Sequence, residues 1–229
     1  MTIPILHEDN HLLIVEKPVN MPVQEDRSKD PDLLTLLKKD LKVRYQKPGN
    51  VYLALVHRLD RPVGGAIVFA KTSKAASRLS DMIRRRVMDR TYLTVVHGTP
   101  KKVKDKLEHY LWKDGRQNKV FVESANHPKA KKAILTYEVL DSKEGFSLLS
   151  VRLETGRPHQ IRVQLATIGH PIFGDQKYGE HINQPGQQIA LWANSLSFEH
   201  PVRREPLSVE SNPPKEFPWD LWNRFVTKN

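Results

Sequence analysis

Between Val51 and Ala70, two apolar runs, 51–56 and 66–70, are broken by His57-Arg58-Leu59-Asp60-Arg61-Pro62-Val63-Gly64-Gly65. Short apolar runs bounded by Pro and Gly predict buried strands joined by a turn. No other stretch constrains the chain as much, because it fixes a carboxylate and flanking cations where one strand ends and the next begins. Scaffolds present reactive groups at such places. Asp is also a common turn former, since its side chain bonds nearby backbone. The turn alone is therefore read two ways, as structural punctuation or as the seat of a reactive Asp60.

The rest of the pattern places this turn in a strand-rich chain. Residues 5–8 and 12–16 predict a hairpin around Asp9-Asn10. Asp30-Pro31 predicts a helix start, with Asp30 as N-cap, Pro31 in the first turn and an apolar face of Leu33, Leu34, Leu36, Leu37 and Leu41. Ser73 is the expected cap of a second helix carrying Ala76, Leu79, Ile83 and Val87. That helix ends in Arg84-Arg85-Arg86, cations that suit either a helix C-terminus or RNA phosphates. Residues 91–97, 133–140 and 146–153 read as strands, the last two forming a hairpin around Lys143-Glu144-Gly145. A short helix over 158–168, strands over 190–198 and 207–210, and a final helix with Trp219, Trp222 and Phe225 complete the pattern. Residues 99–132 are Lys-rich and the least apolar, which predicts a basic insertion, either mobile or RNA-facing. Many strands with scattered helices point to an α+β fold, read as one domain over 1–229.

Lys and Arg number 37 against 26 Asp and Glu, a net charge of +11. A polyanionic partner follows, nucleic acid first. With no cysteine there is no disulfide, thiolate metal site or Cys nucleophile. P-loop, dinucleotide, G-x-S-x-G and H-E-x-x-H patterns are all missing. The N-terminal residues carry no signal-peptide pattern, and no window approaches the ~18 apolar residues of a membrane span. The expectation is a soluble, cytoplasmic protein with no membrane partner.

A second dense stretch runs from Leu153 to Val163, as Leu153-Glu154-Thr155-Gly156-Arg157-Pro158-His159-Gln160-Ile161-Arg162-Val163. His159 and Arg162 share a helix face, and a helix N-terminus in a basic protein suits an anion. Arg157 and Arg162 also read as ordinary surface residues. Ile161, Val163 and Leu165 flank Arg162, however, so it is expected to be partly buried. A buried Arg needs a carboxylate, and Asp60 is a candidate.

Taken together, these stretches resemble the RluA-type pseudouridine synthases. The resemblance is carried by His57-Arg58-Leu59-Asp60 with Gly64-Gly65, and by Thr155-Gly156-Arg157-x-His159-Gln160-Ile161-Arg162. The second motif runs into Gly169-His170-Pro171-Ile172-x-Gly174-Asp175-x-x-Tyr178-Gly179. Glu16-Lys17-Pro18, Arg90-Thr91-Tyr92 and Ala190-Leu191-x-Ala193 through Phe198-x-His200-Pro201 extend it over nearly the whole chain. It implies one α+β catalytic domain around a bent, mainly antiparallel sheet with a central cleft, working on RNA (tRNA or large-subunit rRNA) without metal or organic cofactor, as a monomer. It also implies Asp60 as the essential carboxylate, Arg162 as its basic partner and Tyr92 as a ring against the target base. Arg58 would replace the flipped uridine in the RNA stack, and His57, Arg61, Arg157, His159 and Arg84 to Arg86 would contact RNA. The family often has Thr-Ser-Gly where this chain has Val63-Gly64-Gly65, so Gly64 lacks a hydroxyl. A non-catalytic RNA-binding protein on the same fold is the alternative.

Overall fold

The computed structural model describes residues 3–226. The chain divides into two compact units, Met1–Asp89 with Ala193–Ser211, and Arg90–Trp192 with Asn212–Asn229. Each is an antiparallel-rich sheet with helices, so the α+β reading holds. No helix of the described residues is long and apolar enough to cross a membrane.

In the first unit, β1 (Ile5–Glu8) and β2 (Leu12–Lys17) form the expected hairpin. Asp9 ties its turn by accepting the His11 and Leu12 N–H groups at 2.7 and 2.8 Å. Helix α1 (Leu33–Arg44) buries Leu33, Leu37 and Leu41, one residue per turn. Its cap is Asp32, which accepts from Thr35 N, and not the expected Asp30. Capping from Asp32 puts Leu33 in the first turn, while Asp30 is drawn off as a partner of Arg61. The expected strand over 51–56 shrinks to β3 (Ala54–Leu55), only half-buried. β4 (Gly64–Ala70) is buried at every residue, as a strand covered on both faces must be. Helix α2 (Ser73–Arg85) is capped by Thr72, not Ser73, and stops before Val87, which is exposed.

Within this unit β1, β2, β4 and β10 (Leu191–Glu199) follow one another, with β3 on β4 and β11 (Pro206–Glu210) on β10. Leu12, Ile14, Ala66, Val68 and Ala70 pack with Ala75 and Leu79 of α2, and with Leu196, Phe198 and Val209, in one core.

The second unit orders its strands β5 (Asp89–His97), β9 (Phe146–Leu153), β8 (Lys131–Lys143), β6 (Lys104–Asp114) and β7 (Lys119–Glu123), each antiparallel to its neighbour. The 99–132 stretch is therefore not a mobile loop. It is the β6–β7 hairpin, built into the sheet through the β6–β8 ladder. Leu107, Leu111 and Val120 are buried, and the lysines on the other face pair with carboxylates: Lys104 with Glu138, Lys106 with Glu154, Lys132 with Glu108. One wet face makes a strand look like a loop by composition. Helix α3 (Gln160–Thr167) packs on this hairpin, with Val163 meeting Leu111, Val120 and Ala133. A 3-10 turn (Trp219–Trp222) and α4 (Asn223–Val226) end the described chain, with Trp219 and Trp222 buried as expected.

Candidate active site

In the first unit the 57–65 turn is anchored from several sides. Leu59 and Val63 are buried, and Val63 N donates to the Asp60 carbonyl at 3.0 Å, closing a turn with Asp60 at its first position. His57 Nε2 accepts from Val68 N at 3.2 Å, which puts the ring proton on Nδ1 and makes His57 a peg onto β4. Arg61 donates to Asn20 O, Ser28 Oγ and Asp30, tying the turn to the 20–30 loop. Arg58 is exposed, with no hydrogen bond or ion pair among the described residues. Gly64 is simply the first residue of β4. Gly65 has φ +110°, and a Cβ there would stand 2.3 Å from Ala193 O. Only glycine fits this approach.

Beneath the turn lies a residue whose weight the sequence does not reveal. Lys17 is completely buried. Its Nζ donates to the carbonyls of Pro18 (2.9 Å), Met21 (2.7 Å) and Arg61 (2.9 Å). Three ammonium donors meet three acceptors, one of them next to Asp60. Burial pushes the Lys17 ammonium down to about 7, while the Asp60 charge pulls it back up. In the unfolded chain the same group holds its proton to its ordinary 10.5. Between those values the unfolded state binds more protons, so stability rises with pH, by at most about 1.4 kcal/mol per pH unit. The stability advantage of the parent over Lys17→Met is therefore expected to grow from pH 7 to 10 in denaturant titrations; a flat difference contradicts it.

Arg84 and Arg85 share Asp81, and Arg86 caps α2 in the left-handed region at φ 61°. All three guanidinium groups lie at the surface of this unit.

The second unit holds Tyr92, Arg157, His159 and Arg162. Tyr92 is a buried residue of β5, opposite Val151. Arg162 is buried as expected, at 6% exposure. The carboxylate it meets in its own unit is Asp175, which is 1% exposed. Arg162 Nε and Nη2 fork onto its two oxygens at 2.8 and 2.7 Å, the bidentate form of the strongest ion pairs. Asp175 also accepts Lys177 N at 2.9 Å. The Tyr178 ring lies 5.3 Å from the Arg162 guanidinium carbon. Tyr178 OH takes a hydrogen bond from Val120 N (2.8 Å) and meets His159 Nδ1 (2.7 Å). His159 adopts φ 50° ahead of α3.

The turn before α3 is equally tied. Thr155 Oγ1 accepts from Ile134 N (2.8 Å) and donates to Gln160 Oε1 (2.7 Å), which also takes Arg157 N (3.0 Å). Arg157 Nε reaches Lys132 O, so its direction is set. Asp175, Tyr178 and Lys17 were all visible as motif residues, but their roles as supports were not. Among the described residues no cluster of three or more His, Asp or Glu could hold a metal ion.

In the first unit a fixed turn presents a carboxylate beside an exposed Arg, an arrangement that suits acid–base or nucleophilic chemistry. The comparisons with known proteins give the family. Residues 11–167, which include both turns, match the model of the RNA pseudouridylate synthases. The chain is 32% identical over 237 residues to the ribosomal large subunit pseudouridine synthase C of Buchnera aphidicola subsp. Baizongia pistaciae, covering 98% of this chain and 70% of that one. It is 32% identical to the ribosomal large subunit pseudouridine synthase D of Haemophilus ducreyi, over 93% of this chain and 68% of that one. The fold matches human RNA pseudouridylate synthase domain containing 4 with a TM-score of 0.77, at 22% identity over 93% of this chain and 89% of that one. The residues, the fold and the relatives converge: this chain belongs to the RNA pseudouridylate synthase family and is an RNA pseudouridine synthase.

Proposed function

We propose that Asp60 is the carboxylate that carries the isomerisation, with Arg162 as its cationic partner and Tyr92 against the target base. The observation that carries this reading is the fixed turn: Asp60 is held by the Val63 bond and by Lys17 beneath Arg61, while Arg58, two residues away, is exposed and free. In the reaction the C1′–N1 bond of a uridine breaks and a C1′–C5 bond forms. C5 loses its proton to solvent and N1, freed from the sugar, takes one up. Asp60 does this either by attacking sugar or base to form an adduct, or by taking a ribose proton to give a glycal. Arg58 fills the stack left by the flipped uridine. Arg157, His159 and the Arg84–Arg86 knuckle meet phosphates, while His57 and Arg61 act by holding the turn.

Large-subunit rRNA is the favoured substrate, on the strength of the relatives named for it. The test is tritium release from RNA labelled at uridine C5. The protein is expected to release tritium from unmodified large-subunit rRNA and none from tRNA. Release from tRNA alone moves the assignment to tRNA, and release from neither removes it.

A further inference from the structure

The C-terminal half of α1 lies outside the machinery assigned above, yet it has a distinctive surface. Lys39 and Lys42 are exposed on it, Lys38 is half-buried, and the exposed Lys47 follows in the loop. Lys47 N bonds back to the Lys42 carbonyl at 3.0 Å, folding the loop against the helix end. None of these four lysines has a carboxylate partner among the described residues. The other cations nearby do: Arg44 pairs with Glu8 and Asp40, Lys71 with Glu8, and Arg61 with Asp30.

Beside them stands Tyr45, half exposed. Its hydroxyl donates to Glu8 at 2.9 Å, which fixes the ring. The Lys71 ammonium and Arg44 guanidinium lie 5.0 and 5.4 Å from its centroid. The ring borders an open cleft of about 430 Å³, lined by Glu8, Asp9, Asn10, Lys47 and Lys71. The carboxylates of this cleft are already engaged, Glu8 by Arg44, Lys71 and Tyr45, and Asp9 by backbone N–H groups and Arg203. The charge left unmatched is positive.

We infer that this surface is a second RNA-docking site, where Tyr45 stacks one unpaired base and Lys38, Lys39, Lys42 and Lys47 follow the phosphates on either side. A fixed aromatic face among unpaired cations is what sequence-tolerant single-strand binding requires. The inference rests on RNA as substrate but not on the chemistry given to Asp60. It makes RNA affinity depend on a strand that lies outside the reacting nucleotide.

The experiment is binding of a fluorescent large-subunit rRNA transcript over a range of salt concentrations. Replacing the four lysines by Gln is expected to lower the slope of log affinity against log salt by about 3. A control that removes the same charge, Lys101, Lys102, Lys104 and Lys106 all to Gln, is expected to change it by less than about 1. Tyr45→Ala is expected to weaken binding about 10-fold, and Tyr45→Phe, which keeps the ring, by less than about 2-fold. An unchanged slope in the first variant, or parental affinity in Tyr45→Ala, overturns the inference. None of these side chains is buried, so the variants are expected to melt with the parent. If the parent releases no tritium from any RNA, the Asp60 assignment fails while the salt slopes still decide this one.

Discussion

Asp60→Asn is expected to abolish tritium release, by at least about a thousand-fold, while RNA affinity stays within about 3-fold of the parent. The amide has the shape of the carboxylate but neither its charge nor its nucleophilicity. The turn should survive, because the bond that closes it runs from Val63 N to the main-chain oxygen of residue 60. Lys17 continues to hold the Arg61 carbonyl, and Leu59 and Val63 remain buried. Loss of turnover with retained melting temperature and retained binding therefore isolates the chemistry. Turnover above about a tenth of parental would sink the role given to Asp60.

The second large effect belongs to Asp175. Removing one partner of a buried ion pair strands the other charge and typically costs about 3–5 kcal/mol. Asp175→Ala removes the carboxylate that Arg162 forks onto and also takes an acceptor from Lys177 N. Stability and turnover should both fall. The double variant Arg162→Met with Asp175→Leu removes both charges and leaves an apolar pair of similar bulk. It is expected to regain most of the lost stability, to within about 2 kcal/mol of the parent, and none of the activity. Recovery of stability in denaturant titrations together with recovery of tritium release would show that the pair is scaffold only.

The contrast between Arg162 and its carboxylate also shows how far a sequence can be read. The burial of Arg162 was legible, because Ile161, Val163 and Leu165 surround it in the chain. The partner in its own unit was not, since Asp175 lies thirteen residues on and its choice depends on how the chain folds back after α3. The same holds for Lys17, which sequence presents as an ordinary cation and folding buries beneath the Asp60 turn. Local patterns gave the β1–β2 and β8–β9 hairpins, because hydrophobic runs and turn residues lie side by side. They failed where two rules compete over a few residues, as with Asp30 and Asp32 flanking Pro31. They failed again in β6 and β7, where cross-strand ion pairs replace apolar residues on one face.

The strand β10 has a consequence for biosynthesis. Its first residues belong to one unit and Ala193 onward to the other, so the chain returns to its N-terminal unit only after nearly all of the second has been translated. Gly65, at the edge of the Asp60 turn, packs against the backbone of Ala193. A nascent chain of 192 residues still lacks that wall, as well as Leu196, Phe198 and Val209 of the first core. Contacts spanning more than 120 residues make assembly slow relative to local hairpins. Vectorial synthesis thus delays a finished Asp60 turn until the 193–211 segment has emerged from the ribosome.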